Sequence, residues 1–218
     1  MITPLAGASI ALTAVALAAL LLFERRGLRA GVAVAKPVAS TGFLALALVS
    51  GALDSAYGRA VLVGLILSFA GDVLLIPKAR AAFLGGLASF LLAHVAYVVA
   101  FAGLGLDLGD LGWVAGPLAI AAAGVGWWLV PRLPRPMVGP VLAYILAVSV
   151  MLGAAFLVGG PDARVLPIRA GALLFYVSDL SVARDRFVAP GFVNRAWGLP
   201  TYYAGQVLLA LSIAAQVA

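Results

Sequence analysis

The sequence predicts an all-α fold: a polytopic membrane helical bundle of eight transmembrane helices, forming one domain over residues 1–218. Three observations carry this. Of the residues, 65% are hydrophobic and only 10% charged, against roughly 45–50% apolar in soluble domains. Apolar runs of membrane-spanning length recur along the whole chain. Basic residues gather in the short gaps between those runs, where orientation signals belong. No stretch reads as a soluble second domain, a linker or a low-complexity tail.

A helix needs about 20 apolar residues to cross the hydrocarbon layer, and such runs fall at 5–23, 32–50, 59–76, 81–103, 112–130, 137–158, 167–184 and 197–217. The first has no basic residue before it and Glu24-Arg25-Arg26 after it. A cleavable signal shows the opposite order, so this helix is expected to be retained with its N-terminus outside. The second carries Pro37 near its start, and the third ends at Pro77. The fourth holds His94, the one histidine of the chain. Pro131, Pro134 and Pro136 close the fifth, Pro161 follows the sixth and Pro190 the seventh; a missing N–H costs least at or beyond a helix end. Pro140 and Pro200 lie near the starts of the sixth and eighth spans and mark first turns or mild kinks.

Charge orients the bundle. Arg25, Arg26, Arg29, Lys78, Arg80, Arg132, Arg135, Arg184, Arg186 and Arg195 follow the odd-numbered spans, ten of fourteen basic residues. The opposite side holds Arg59, Arg164 and Arg169 together with Asp54, Asp107, Asp110 and Asp162. The positive-inside rule then puts the odd loops in the cytoplasm and both termini outside, in a multi-pass protein of the inner cell membrane. This placement of the basic residues argues against nucleic-acid binding despite the net charge of +6. The absence of cysteine excludes disulfides, thiolate ligands and a cysteine nucleophile.

Two carboxylates stand inside apolar runs: Asp72 on span three and Asp179 on span seven, 107 residues apart. An intramembrane acid is costly and reads by default as a functional group with a partner. Lys36-Pro37-Val38 and Gly139-Pro140-Val141 recur at similar spacing, so a parallel four-plus-four duplication is a hypothesis the sequence raises. With about 1.5 Å rise per residue, Asp72 lies roughly 6 Å and Asp179 roughly 7–8 Å from the cytoplasmic ends of their spans. Lys36, Tyr202, Tyr203 and Gln206 enter from that same side, while His94 lies nearer the midplane.

Plainer readings stand beside the functional one. The carboxylates can be structural ion pairs with Lys36 or a loop arginine. His94 shares a helix face with Phe90 and Tyr97 and can be a packing histidine. Lys36 can snorkel to the headgroups, the tyrosines and Gln206 can bond between helices, and Ser68 can serve a small-residue stripe with Gly64. Asp72, Asp179 and His94 also match the donor types of a divalent ion, but their spacing forms no local ligand motif, so no metal and no other cofactor is expected. No Gly-x-Ser-x-Gly elbow or phosphate cradle is present. Buried acids serve proton- or cation-coupled transporters equally well.

Ser68-Phe69-Ala70-Gly71-Asp72-Val73-Leu74-Leu75, Phe90-Leu91-Leu92-Ala93-His94-Val95-Ala96-Tyr97, Gly171-Ala172-Leu173-Leu174-Phe175-Tyr176-Val177-Ser178-Asp179 and Tyr202-Tyr203-Ala204-Gly205-Gln206 occur in that order. Together with Lys36-Pro37 they resemble the YhhN-like family of lysoplasmalogenases. The resemblance implies an eight-span hydrolase that cleaves the vinyl-ether bond of lysoplasmalogens. Its products would be a fatty aldehyde and a glycerophospho-ethanolamine or -choline. The partners expected are then a lysophospholipid substrate and the surrounding membrane lipids; the sequence leaves homo-oligomerisation open.

A vinyl ether hydrolyses by protonation of its β-carbon to an oxocarbenium ion, which water captures. Such a site needs a proton donor and a nearby negative charge, and two carboxylates in low dielectric divide those roles, as in glycoside hydrolysis. Asp72 and Asp179 are the expected catalytic pair, with His94 shuttling a proton or orienting water. Tyr202, Tyr203 and Gln206 are expected at the glycerol or ether oxygen, Lys36 at the phosphate, and Ser68, Tyr97 and Ser178 along the substrate. The sequence assigns the roles of acid and anion to the pair, not to either member.

Overall fold

A computed structural model describes residues 3–77 and 79–217. Its eight α-helices are α1 (Pro4–Arg26), α2 (Arg29–Val49), α3 (Ala56–Leu74), α4 (Arg80–Ala102), α5 (Leu111–Leu129), α6 (Arg135–Leu157), α7 (Asp162–Phe187) and α8 (Phe192–Val217). Among the described residues no strand forms; a single isolated bridge pairs Leu106 with Val158. Lys78, one of the cytoplasmic bases of the sequence reading, lies outside the described residues.

The ends of the helices have local causes. Thr3 caps α1 by accepting from the Ala6 N–H, Pro4 occupies its first turn, and Gly27 closes it at φ 67°, a left-handed conformation that glycine adopts without steric cost. Ser55 caps α3 through the Gly58 N–H. Among the described residues, seven helices or helical runs, the first seven in chain order, are long and apolar enough to cross a membrane. α8 falls outside that set; it carries Asn194, Arg195, Thr201, Tyr202, Tyr203 and Gln206, most of which face inward.

Neighbouring helices pair as α1–α2, α3–α4, α5–α6 and α7–α8, and α8 returns to pack on α1, α2 and α3 while α4 packs on α6. The pairs α1–α2, α2–α3, α3–α4 and α2–α8 thus have counterparts in α5–α6, α6–α7, α7–α8 and α4–α6, whereas α1–α8 and α3–α8 have none of comparable extent. Small residues set the close approaches. A Cβ on Gly171 would stand 3.0 Å from the Gly205 carbonyl, and one on Gly71 would stand 2.6 Å from the Phe90 ring. These two contacts bring α7 against α8 and α3 against α4, the four helices on which most of the polar residues sit.

α5 is the outlier. It buries only Leu129, and Trp113 and Trp127 near its two ends are 85% and 83% exposed. A helix apolar on all faces with indoles near its ends suits a lipid-facing position.

Candidate active site

α3, carrying Asp72, packs on α2 and α8, so the carboxylate points into the angle between those helices. There it meets three partners. The Lys36 ammonium lies 3.1 Å from Oδ1, and the hydroxyls of Ser40 and Tyr202 each donate to Oδ2 at 2.7 Å. The Tyr203 hydroxyl stands 3.2 Å from both Ser40 Oγ and the Lys36 carbonyl, tying α8 to the same turn of α2. Asp72 therefore has an ammonium and two hydroxyl donors at its oxygens, so this buried carboxyl is fully partnered.

Asp179 is wired differently. Its Oδ2 lies 3.4 Å from His94 Nε2, within ion-pair reach but without hydrogen-bond alignment, so Oδ2 and both imidazole nitrogens stand without hydrogen-bond partners among the described residues. The Tyr144 hydroxyl of α6 borders the same carboxyl. His94 is fully enclosed, its ring centroid 4.6 Å from that of Phe175 and 5.2 Å from that of Tyr144. The Asp179 side chain keeps 14% exposure against 3% for Asp72, although its Oδ2 itself is enclosed.

Both carboxylates border one cavity of about 380 Å³. Its polar floor is Lys36, Asp72, Ser178, Asp179 and Tyr202, with the Tyr176 hydroxyl, which lacks a partner among the described residues, beside them. One wall is apolar: Phe83, Leu87 and Phe90 from α4 face Leu129 of α5 and Val141, Ile145 and Val148 of α6. The mouth lies where α3 gives way to Pro77 and α7 to Pro190, and it carries Asp185, Arg186 and Arg195. A long hydrocarbon chain fits such a wall, and a polar head fits such a mouth.

The structure thus brings together five of the ten residues singled out in the sequence: Asp72, Asp179, Lys36, Ser178 and Tyr202. His94 lies behind Asp179 rather than in the cavity, and Tyr203 lies behind Ser40. Ser68, Tyr97 and Gln206 form a separate buried layer in which the Tyr97 hydroxyl donates to Gln206 Oε1 at 2.7 Å, with Ser68 beside it. Lys36 pairs with Asp72, so its ammonium faces a carboxylate instead of open headgroup space. Ser178 donates to the Phe175 carbonyl at 2.7 Å.

Ser40, Tyr144 and Tyr176 are site residues that sequence reasoning missed. Ser40 follows Lys36 by one helical turn and Tyr176 precedes Asp179 by nearly one, so helical spacing from the charged residues would have found both. Tyr144 carries no such signal, because only the packing of α6 on α4 and α7 delivers it.

The chain is 34% identical over 158 residues to lysoplasmalogenase TMEM86A of Bos taurus, covering 70% of this chain and 64% of that protein. It is 39% identical over 149 residues to lysoplasmalogenase TMEM86B of Homo sapiens, covering 68% and 60%, and 34% identical over 159 residues to a lysoplasmalogenase of Mycobacterium tuberculosis, covering 69% and 59%. The alignments therefore span less than two thirds of the length of these relatives. No solved structure matches significantly. The model of the YhhN family matches residues 31–213, from the start of α2 to the last turns of α8 and across every residue of the cavity floor, so the chain belongs to the YhhN family.

Proposed function

We propose that this protein is a membrane lysoplasmalogenase that hydrolyses the vinyl-ether bond of a lysoplasmalogen, releasing a fatty aldehyde and the glycerophospho-ethanolamine or -choline. The observation that carries the reading is a single cavity with two carboxylates of unlike wiring on its floor and an apolar wall beside them. The relatives named lysoplasmalogenase support it.

Asp179 is assigned as the acid. Its protonated carboxyl delivers a proton to the β-carbon of R–CH=CH–O–R′, the π electrons move toward oxygen, and an oxocarbenium ion results. Water adds to the carbon next to oxygen and returns a proton to the Asp179 carboxylate, leaving a hemiacetal. Collapse breaks the C–O bond, the hydroxyl proton ends on R′–OH, and the aldehyde leaves. Asp72, fixed in place by Lys36, supplies the negative charge that stabilises the cationic intermediate. Tyr202 holds Asp72 and borders the cavity, and His94 with Tyr144 sets the position of Asp179. The odd loops face the cytoplasm of an inner membrane and both termini lie outside, so the cavity mouth opens to the cytoplasmic leaflet.

Purified protein in detergent is expected to release aldehyde from lysoplasmalogen, with chelator present or absent. Asp179→Asn removes the proton donor and is expected to lower kcat/KM by about 10²–10⁴-fold while the protein stays folded. Near-normal aldehyde release from that variant would falsify the assignment. Proton or solute flux into sealed vesicles, with no aldehyde released, would instead favour a transporter.

A further inference from the structure

Two arginines at the cavity mouth stand apart from the catalytic floor. On α7, Asp179 and Arg186 both border the cavity seven residues apart, and on α8 so do Tyr202 and Arg195. Seven residues are two helical turns, about 10.5 Å, so each pair lies on one helix face with its polar floor group and its arginine at matched heights. In a lysophospholipid with a vinyl ether at the first glycerol carbon, seven bonds separate the vinyl β-carbon from phosphorus. Extended, that is roughly 9 Å at about 1.25 Å of projection per bond. A lipid whose vinyl carbon reaches Asp179 therefore sets its phosphate at the height of the two guanidinium groups.

The chemistry of the mouth suits that anion. Among the described residues Arg186 pairs with no carboxylate; its guanidinium lies 4.3 Å from the centroid of the Phe83 ring, which holds it at the rim with its donors unspent. Arg195 is steadied from one side, with Nη2 donating to Asp185 Oδ2 at 2.8 Å, while its contact with Glu24 is a loose 3.8 Å. Asp185 does not compete for the site, because its oxygens already accept from the Gly191 N–H, the Asn194 amide and Arg195. Two guanidinium forks carry ten N–H donors, of which Arg195 spends one on Asp185, in planar arrays that match phosphate oxygens. Lys36, the other cation bordering the cavity among the described residues, is spent on Asp72 at the floor.

We infer that Arg186 and Arg195 clamp the phosphate of the lysophospholipid head and thereby fix how deep the vinyl ether sits above Asp179. The inference rests on the lysoplasmalogenase reading for the identity of the lipid, but its test does not need turnover. The probes are a non-hydrolysable 1-alkyl-lysophospholipid and the matching 1-alkylglycerol, which lacks the phosphate, titrated into purified protein in one detergent. Wild type is expected to prefer the phosphate-bearing probe. Arg186→Gln is expected to reduce that preference, read as the ratio of the two Kd values, by about ten-fold or more. Arg195→Lys keeps a charge for Asp185 but loses the planar fork, so it should reduce the preference while leaving the melting temperature within a few degrees. Arg59→Gln, at the far end of the bundle where its guanidinium donates to the Leu53 carbonyl, is the control that leaves the ratio unmoved. A ratio unchanged in both mouth variants overturns the clamp, as does an equal loss for both probes. Absence of aldehyde release with the preference intact would sink the reaction and leave the clamp standing.

Discussion

Replacing Lys36 by Met tests the wiring of the cavity floor most directly. The substitution keeps the length and bulk of the side chain and deletes only the ammonium, leaving Asp72 with Ser40 and Tyr202 as donors. At an effective dielectric near 20, unit charges 3.1 Å apart attract by about 5 kcal/mol. Desolvation of both ions offsets most of that in the wild type, so the intact pair contributes little net stability. Breaking it is another matter, because an uncompensated buried carboxylate remains, at a cost of about 3–5 kcal/mol. The expected result in detergent is a melting temperature lowered on the order of 10 °C. Adding Asp72→Asn to Lys36→Met removes the stranded charge and should restore most of the loss, while turnover stays low because the fixed anion is gone. A single variant that melts within about 2 °C of wild type would refute the argument. So would a double variant no more stable than the single, since the coupling between the two positions would then be absent.

Three further outcomes follow from the packing. Gly171→Val pushes a side chain toward the Gly205 carbonyl and Leu209, which lie 3.0 and 2.9 Å from where its Cβ would stand; overpacking at about 1–3 kcal/mol should lower the melting temperature measurably and with it aldehyde release. Trp113 and Trp127 lie 14 residues apart, about 21 Å along α5, so in single-tryptophan variants both should be quenched more by shallow lipid probes than by probes at the bilayer midplane; strong midplane quenching of either contradicts a spanning α5. Because the native chain has no cysteine, single cysteines report topology cleanly. In inside-out vesicles an impermeant thiol reagent should label Gly191→Cys and spare Thr3→Cys and Gly109→Cys, and the reverse pattern inverts the orientation.

The helices were legible because proline and arginine punctuate the chain, and the first six observed helices start and stop within three residues of the apolar runs. α7 and α8 begin earlier, at Asp162 and Phe192 instead of 167 and 197. Hydropathy stops at polar residues such as Arg164 and Asn194, but a helix continues into the headgroup region, where those side chains are solvated. At the site, the cost of a buried acid singled out Asp72 and Asp179 without any knowledge of contacts. Tyr202 and Tyr203 were inseparable by sequence, yet adjacent helical residues point about 100° apart, so Tyr202 reaches Asp72 and the cavity while Tyr203 turns toward Ser40 and the Lys36 carbonyl. Equal depth likewise placed Gln206 near the floor, but its face of α8 meets Tyr97 instead.

Depth alone would make Asp72 and Asp179 interchangeable, and their partners argue against that. A carboxylate that gives up a proton and takes it back must exist in both states without dismantling its surroundings. Protonating Asp72 would strand the Lys36 ammonium and leave the Ser40 and Tyr202 hydroxyls donating to a poorer acceptor, so every turnover would disturb the contacts that join α2, α3 and α8. Protonating Asp179 disturbs far less, since among the described residues its Oδ2 makes no hydrogen bond and its neighbours are an imidazole and a phenol that accommodate either state. The same asymmetry meets the opposite demand of the intermediate. In the proposed reaction the cationic intermediate is met by Asp72, the carboxyl whose position Lys36, Ser40 and Tyr202 fix.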